Sequence, residues 1–600
     1  MNALYRGWGK NVLWGSLSAC FILGSQMGWE KTVTLSVPLQ DVSAPVFIYA
    51  PATNGGALLT EPDGKTVRFF YRLYPSVGNY QGNEGTGAIL YEDFSPDGGA
   101  TWQLMKEVVD TGDGSHSDVA SVNPSTREIY LLFTQNQQGW LIRTSKGRTD
   151  WGRKTKVPFT LSYDGGSFIW LRAQERSGFH RLVVVTRARN GDGSVSYISD
   201  DDGLTWQGPS NLCAAPPYPG RWDNRGSSGH VVELKDGRLW MLMRSSQDHL
   251  REFFSADRGR SWSDGRPSRF IGVFSCVRLR RIPDGRLLIV WLNSMPHSGI
   301  TKEGSFHNTA RDVLHAAISE DDGQTWRGFR EVALDKRRHD LVYSPIPAYD
   351  AGIHHQKYTV TGEGRVIVMT GQDDKFVRWN SDHRLAMIFD LDWLLETSRS
   401  TDFANEYEDL SVFKLSKNRW GTTNYYSRTL GATLIEHPTL EYRKVLQLGR
   451  ETCDWVFNEQ DGANWNFPAG KKGRLETRIW IRKGFRGGAL SLIDGFYPPS
   501  DNAGEQAAMF KFEIPADGRL FSGAVLNPER WIDISLAWNG TENPAGHFCQ
   551  VAIDGILQRE TLPLLNPSRN GICYARFRST APAEDLSGFL VESIKADVVW

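Results

Sequence analysis

The chain has 600 residues, of which 60 are glycine and 12% are aromatic. This length exceeds what one hydrophobic core usually supports, so we expect two domains or a large repeat domain with an appendage. The formal net charge of -1 gives no strong overall field, which argues against nucleic acid as a partner. Recognition of an anion must therefore come from a local group of basic residues.

The amino terminus has the layout of an export signal. Arg6 and Lys10 precede an apolar run, and we predict that residues 1–27 direct export. The stretch from Leu17 to Cys20 resembles the lipobox of bacterial lipoproteins. The two alternatives are therefore plain secretion and attachment to the cell surface through Cys20. We predict no transmembrane segment after this signal.

An eight-residue phrase with the pattern S-x-D-x-G-x-[ST]-W then recurs along the chain. It reads SPDGGATW, SDDDGLTW, SADRGRSW and SEDDGQTW, starting at Ser95, Ser199, Ser255 and Ser319, with a degenerate copy from Ser145 to Trp151. The Ser and Asp can hydrogen-bond the backbone of a tight turn, the Gly supplies positive φ, and the Trp can pack against a neighbouring unit. A spacing of about 50 to 64 residues is typical of a propeller or another repeat array.

Short apolar strands separated by D-G, N-G and P-D turns fill residues 46–395, with almost no helical periodicity. Counting by the repeated phrase predicts six units, over residues 46–108, 117–155, 165–212, 228–268, 274–332 and 342–393. We therefore predict an all-β fold in which residues 46–395 form a six-bladed β-propeller.

A different β-rich region follows the repeats. Residues 396–419 read as a polar connector, and the alternation in residues 420–600 predicts a concanavalin-like jelly-roll sandwich. Cys549 and Cys573 lie in this region and either form a disulfide or remain buried thiols. No residue spacing indicates a metal site, and we expect no cofactor.

The repeated phrase is identified as the Asp box, and residues 46–395 resemble the sialidase superfamily, whose propellers carry their site on the central axis. The resemblance implies three arginines that hold a substrate carboxylate, a Tyr nucleophile assisted by a Glu, and an Asp that protonates the leaving group. Guanidinium groups bind a carboxylate bidentately. A neutral Tyr also meets less repulsion near an anionic substrate than a carboxylate nucleophile would.

Three positions follow the order of the family. Arg244 ends a strand in VVELKDGRLWMLMRSS, Arg311 precedes the last Asp box in ARDVLHAAISEDDGQTW, and Tyr343 is followed by Ser in LVYSPIPAY. The resemblance implies that Arg244 and Arg311 bind the substrate and that Tyr343 is the nucleophile.

The remaining positions depart from the family pattern. The stretch VFIYAPAT lacks the first arginine, which leaves Arg72 as its replacement, and Glu84 is the candidate acid. Ser228 lies where the Glu that assists the tyrosine is expected. Asp223 and His230 are therefore the candidate bases.

Together these residues predict an exported, sialidase-like glycoside hydrolase that acts on a terminal, acidic sugar of a glycan or polysaccharide. One alternative is a polysaccharide lyase, in which a Tyr or one of His230, His354 and His355 takes the α-proton of a uronate. The other is a propeller that binds carbohydrate without catalysis, which the missing Glu and first Arg favour. The second domain is expected to hold the polymer near the site.

Overall fold

The structure, a computed structural model, describes most of the chain after residue 30. The described ranges are 31–49, 54–73, 86–113, 118–144, 150–161, 166–176, 178–189, 191–217, 225–273, 275–298, 311–334, 353, 355–372, 383–407, 410–415, 428–520 and 522–600. These residues form 39 strands, one short α-helix, α1 (Ala503–Gln506), and the 3-10 helices Leu39–Asp41 and Leu391–Leu395. The all-β prediction is confirmed.

Several of the first 24 strands are short apolar runs, such as LLIVW, in which all five residues are buried. In chain order they are β1 (Lys31–Thr34), β2 (Val46–Tyr49), β3 (Asn54–Thr60), β4 (Val67–Leu73), β5 (Thr86–Ser95), β6 (Thr101–Asp113), β7 (Val119–Val122), β8 (Ile129–Gln135), β9 (Gln138–Arg143), β10 (Thr155–Val157), β11 (Ser167–Arg176), β12 (Phe179–Arg187), β13 (Ser194–Ser199), β14 (Ser227–Glu233), β15 (Leu239–Arg244), β16 (His249–Ser255), β17 (Arg266–Ile271), β18 (Arg278–Arg281), β19 (Leu287–Trp291), β20 (Val313–Ser319), β21 (Arg327–Leu334), β22 (Lys357–Val360), β23 (Arg365–Gln372) and β24 (His383–Asp390).

These strands form six antiparallel sheets, numbered 1 to 6 in the following order. Their strand orders are β1-β6-β5-β4-β3, β10-β9-β8-β7, β11-β12-β13, β14-β15-β16-β17, β18-β19-β20-β21 and β2-β24-β23-β22. One strand differs from the prediction. β2, assigned from the sequence to the first unit, pairs with β24 and completes sheet 6.

The strand at one edge of each sheet lies beside its counterpart in the next sheet. β3 packs beside β7, β7 beside β11, β11 beside β14, and β14 beside β18, while β22 lies beside β3. Hydrogen bonds from β18 arginines to the carbonyls of Gln356 and Tyr358 connect sheets 5 and 6. We call β3, β7, β11, β14, β18 and β22 the inner strands.

The Asp boxes form the hydrogen-bonded turns expected from their sequence. In the first, the amide of Gly99 donates to Ser95 Oγ at 2.8 Å. The amide and hydroxyl of Thr101 donate to the Asp97 carboxylate at 2.8 and 2.6 Å. The same bonds recur in the other three boxes. The glycine has positive φ in each box, and at Gly323 a Cβ would stand 2.8 Å from the Trp240 ring.

Each Asp-box tryptophan packs against the preceding sheet, as predicted. Trp102 belongs to the same hydrophobic cluster as Ile367 of sheet 6, and the Trp326 ring lies 6.2 Å from that of Trp240 in sheet 4. Trp102, Trp262 and Trp326 are buried, but Trp206 is half-buried. Sheet 3 ends at β13, with only two isolated bridges beyond it, so less of the Trp206 ring is covered.

The remaining strands form two larger sheets and a two-stranded ribbon. They are β25 (Ser398–Thr401), β26 (Leu410–Ser411), β27 (Phe413–Leu415), β28 (Arg428–Leu430), β29 (Thr433–Glu436), β30 (Lys444–Arg450), β31 (Gly462–Gly470), β32 (Lys472–Ile481), β33 (Gly488–Ile493), β34 (Phe510–Ile514), β35 (Trp531–Trp538), β36 (Phe548–Ile553), β37 (Ile556–Pro563), β38 (Ile572–Ser579) and β39 (Asp585–Val599).

The eight-stranded sheet has the order β29-β30-β39-β32-β35-β36-β37, and β25 also pairs with β39. The five-stranded sheet has the order β26-β31-β38-β33-β34. Their apolar faces share one core. The predicted connector, residues 396–419, is not a plain linker, because β25 and β26 pair with β39 and β31. No described helix has the length and apolar character needed to cross a bilayer.

The described cysteines are all free thiols. Cys549 lies on β36 of the eight-stranded sheet and Cys573 on β38 of the five-stranded sheet, and both are fully buried. The thiol alternative is therefore confirmed for this pair. The predicted signal, with Cys20, lies outside the described residues.

Candidate functional site

Buried polar side chains collect near one end of sheets 4, 5 and 6. β15 ends there and β14, β18 and β22 begin there, whereas the Asp-box turns lie at the opposite end. We call this group the strand-end cluster, and its members are Ser227, His230, Arg244, Cys276, Arg278, His355 and Gln356. Antiparallel pairing and the sequence of sheets therefore bring distant parts of the chain together.

Arg244, a predicted substrate-binding residue, lies within this cluster. It is opposite Ser227 in the register of β14 and β15, and its Nε donates to Ser227 Oγ at 3.0 Å. Its Nη1 lies 3.9 Å from Cys276 Sγ. The guanidinium therefore contacts a hydroxyl oxygen and a sulfur atom at these two positions, and a guanidinium is a group that can bind an anionic ligand.

Cys276 and His355 form a second contact in the cluster. Cys276 Sγ lies 3.6 Å from His355 Nδ1, and Gln356 Nε2 donates to the Cys276 carbonyl at 2.5 Å. His355 has a φ of 50°, in the left-handed region that is costly for a residue with a Cβ. The segment that carries His355 is thus fixed against sheet 5 in an unusual backbone conformation.

His230, a candidate base, is buried and its Nε2 contacts Arg278 Nη1. Burial lowers the pKa of His230 well below its usual value, and the positive charges of Arg278, Arg280 and Lys357 lower it further. The imidazole is therefore neutral near pH 7 and weakly basic. These features disfavour His230 as the group that takes the phenolic proton.

Arg311, the second predicted substrate-binding arginine, is buried just before β20. Its carbonyl accepts a hydrogen bond from the amide of Ile353 at 3.1 Å. Because Ile353 is two residues from His355, the backbone of Arg311 is connected to the segment that contacts Cys276. Within the described residues, Arg311 is thus linked to the neighbourhood of the strand-end cluster by one backbone hydrogen bond.

Arg72, predicted to bind the substrate, is instead bound to a buried carboxylate of the protein. Its Nη2 donates to Asp118 Oδ1 at 2.7 Å, and its Nε lies 3.2 Å from both carboxylate oxygens. Both side chains are fully buried, and Nη2 also donates to the Thr134 carbonyl. A structural role that ties sheet 1 to sheet 2 is favoured, because the fork is already bound to a carboxylate.

Several predicted site residues lie outside the described residues: Glu84, Asp223, Tyr343 and His354, with the side chain of Ser228. Cys276 and Arg278 had no assigned role from the sequence. The alternation in Arg278-Leu279-Arg280 is a usable signal, because it points Arg278 and Arg280 to the same face of an inner strand. Within the described ranges, no group of three His, Cys, Asp or Glu side chains could hold a metal ion.

Comparisons with known proteins gave one family match and several similar structures. Residues 181–355 match the family described as a BNR repeat-like domain. A protein of unknown function from Dyadobacter fermentans is 16% identical, with 58% of this chain and 98% of that chain covered and a TM-score of 0.41. Trypanosoma rangeli sialidase in complex with sialic acid is 12% identical, with coverages of 94% and 95% and a TM-score of 0.37.

The NanB sialidase from Streptococcus pneumoniae is also 12% identical, with 60% of this chain and 72% of that chain covered and a TM-score of 0.40. A search of curated proteins gave no match.

Proposed function

We propose, from the match of residues 181–355 to a BNR repeat-like domain, that the chain is an exported, sialidase-like glycoside hydrolase. Its substrate is a glycan or polysaccharide with a terminal, acidic sugar. The observation that carries the proposal is the placement of two buried arginines, Arg244 and Arg311, around the strand-end cluster. Guanidinium groups in such a low-dielectric position bind a carboxylate strongly and with defined geometry.

In this proposal the six sheets are the blades of a six-bladed β-propeller within residues 46–395. The adjacency of the inner strands supports it, as does the pairing of β2 with β24, which joins the two ends of the region. Residues 420–600 would then be a lectin-like jelly-roll sandwich. Its role is to keep the polymer close to the strand-end cluster.

The test is a comparison of R244M with the unaltered chain on sialylated, uronate-containing and neutral glycans. Loss of a charge-assisted hydrogen bond of about 1.5–3 kcal/mol should raise KM for acidic substrates by about 10- to 100-fold. The control is R286M, because Arg286 pairs with Asp284 in the turn after β18, at the Asp-box end of sheet 5. Equal KM values for R244M and the unaltered chain on acidic glycans would refute the assignment.

A carbohydrate-binding propeller without catalysis is the second candidate. The low basicity of His230 and the ion pair between Arg72 and Asp118 favour it, since both remove groups from the proposed catalytic set. Calorimetric binding of an acidic glycan with no sugar released over the same glycan panel would select this function.

A further inference from the structure

Two adjoining cavities lie along the inner strands. The smaller one borders the strand-end cluster at His230, and the larger one contains no residue of that cluster. Their volumes are about 530 Å³ and about 740 Å³. They share the lining residues Leu59, Val122, Pro124, Arg280 and Arg281. The larger one is bordered by the hairpin at residues 61–64, next to the first Asp box, where the Gly98 amide donates to the Lys65 carbonyl. It therefore lies at the Asp-box end of the sheets, opposite the strand-end cluster.

Arg280 of β18 lines both cavities. Its Nη1 donates to the carbonyls of Leu58 at 3.2 Å and Tyr358 at 3.0 Å. The guanidinium carbon stands 5.5 Å from the centre of the Tyr358 ring. No carboxylate within the described ranges forms an ion pair with Arg280, and its Nε and Nη2 have no hydrogen-bond partner there. The Arg280 side chain is half-buried, and this burial lowers its pKa.

The acidic residues around the cavities are already bound by other groups. Glu61 accepts from Arg68 at 2.6 Å, and Glu233 accepts from Arg172 at 3.2 Å. Asp63 accepts from two amides of its own turn. None of these carboxylates neutralises Arg280.

Other arginines also line one or both cavities. Arg281 forms an ion pair with Asp322, whereas Arg127 is exposed at the border of the larger cavity. The balance of charge inside the cavities is therefore positive, and it is concentrated at Arg280.

We propose that these cavities bind a small oxyanion, held by Nε and Nη2 of Arg280. Arg280 is half-buried and has no counter-ion within the described ranges, and a sulfate, phosphate or carboxylate group would bind it through charge-assisted hydrogen bonds. The volumes leave room for more than an inorganic ion, since one water occupies about 30 Å³. The oxyanion is therefore either a free inorganic anion or the acidic group of a sugar.

Calorimetric titrations of the full chain with sulfate, phosphate and glucuronate, at an ionic strength held constant with sodium chloride, test this proposal. Saturable binding is expected for at least one of these anions. R280M should weaken it at least tenfold, and R280K should weaken it less because the charge remains. Binding of sulfate or phosphate indicates a free anion, and binding of glucuronate alone indicates a sugar.

Two controls make the result specific. R286M changes an arginine at the same end of sheet 5 that does not line the cavities, so its affinity should match that of the unaltered chain. R244M should leave unchanged the part of the binding that R280M weakens, which separates this site from the proposed active site. The melting temperature of R280M reports whether that variant folds, and R280Q replaces it if it does not. No binding by the unaltered chain, or equal affinities of a folded Arg280 variant and the unaltered chain, would overturn the proposal.

Discussion

At the scale of single residues, the proposed chemistry depends on the proton of Tyr343. An unperturbed tyrosine has a pKa of about 10 and is a poor nucleophile near neutral pH unless a base accepts its proton. The resemblance to sialidases implies Ser228 at the position of their Glu, and the surroundings of His230 make that imidazole weakly basic. Asp223 is then the favoured candidate for the base.

We expect Y343F to lower the rate of sugar release at least 100-fold while glycan affinity changes less than threefold, since only a hydroxyl is removed. Initial rates and calorimetric Kd values measure the two effects. The matched pair D223N and H230A is then compared across pH. D223N, but not H230A, should lose the acidic limb of the profile of rate against pH. Full activity of Y343F would contradict the nucleophilic role assigned to Tyr343.

His230 also gives a prediction for stability. Its folded-state pKa is lowered, so below about pH 6.5 the unfolded chain binds a proton that the folded chain does not. Stability from this group is thus present above that pH and is lost as pH falls. The unaltered chain should lose up to about 1.4 kcal/mol per pH unit relative to H230Q between pH 6.5 and 4.5. Urea unfolding at several pH values measures this, and parallel curves for the two proteins would exclude it.

At the scale of elements, the Asp-box turn is the best-specified unit. Its donors and acceptors lie within a few residues, so their pattern can be read from the sequence. The Asp257 carboxylate accepts from Ser255 Oγ, the Ser261 amide and Ser261 Oγ. Burial opposes its ionisation, but these hydrogen bonds outweigh that effect and lower its pKa. The stabilisation is therefore lost only in acid.

D257N should lower the free energy of unfolding by about 1 kcal/mol near pH 7, because an amide can accept from fewer donors than a carboxylate. D264N is the matched control, since Asp264 is exposed nearby on the same connection. The difference should shrink as the pH falls below about 4 and the carboxylate becomes protonated. Urea unfolding measures both effects, and an equal loss in D264N would show that the turn bonds are not its source.

Contacts between strands that are far apart in the sequence could not be predicted from a local sequence pattern. Arg244 was placed correctly at a strand end because its position follows from one hairpin. The partner of Arg72, Asp118, lies 46 residues away in another sheet, and Cys276 and His355 are separated by 79 residues. Such pairs depend on how the sheets are arranged, which no local pattern encodes. The sequence therefore predicted the turns and the fold class better than it predicted the partners within the site.

At the scale of the whole molecule, the two β-rich regions are joined by a shared interior. One hydrophobic cluster contains Trp240 and Phe329 from the first region with Phe496 and Tyr574 from the second. Tyr574 donates to the Glu331 carboxylate at 2.6 Å, and its hydroxyl lies 2.5 Å from His315 Nε2. Burial raises the pKa of Tyr574, so this connection is made by a neutral phenol.

A chain ending at residue 400 should therefore aggregate or melt at a lower temperature than the full chain, because the cluster would be open to water. The full chain should unfold in one calorimetric transition, and Y574A should lower its melting temperature. A soluble, folded truncated chain with the full-length melting temperature would mean that the interface adds no stability. Y442A, which changes a fully exposed tyrosine in the same region, is the control.

The pairing of β2 with β24 has a consequence for how the protein is made. Val46 of β2 pairs with Ile388 of β24 in sheet 6. Because β24 is translated about 340 residues after β2, β2 cannot form this pairing when it leaves the ribosome. At roughly 5–20 residues per second, that delay lasts tens of seconds, during which the edge of β24 does not yet exist. The loop closed by this pairing is the longest within the six sheets, and long-range pairing of this kind is slow. The nascent chain therefore carries an open strand through most of its synthesis, and sheet 6 is the last of the six to be completed.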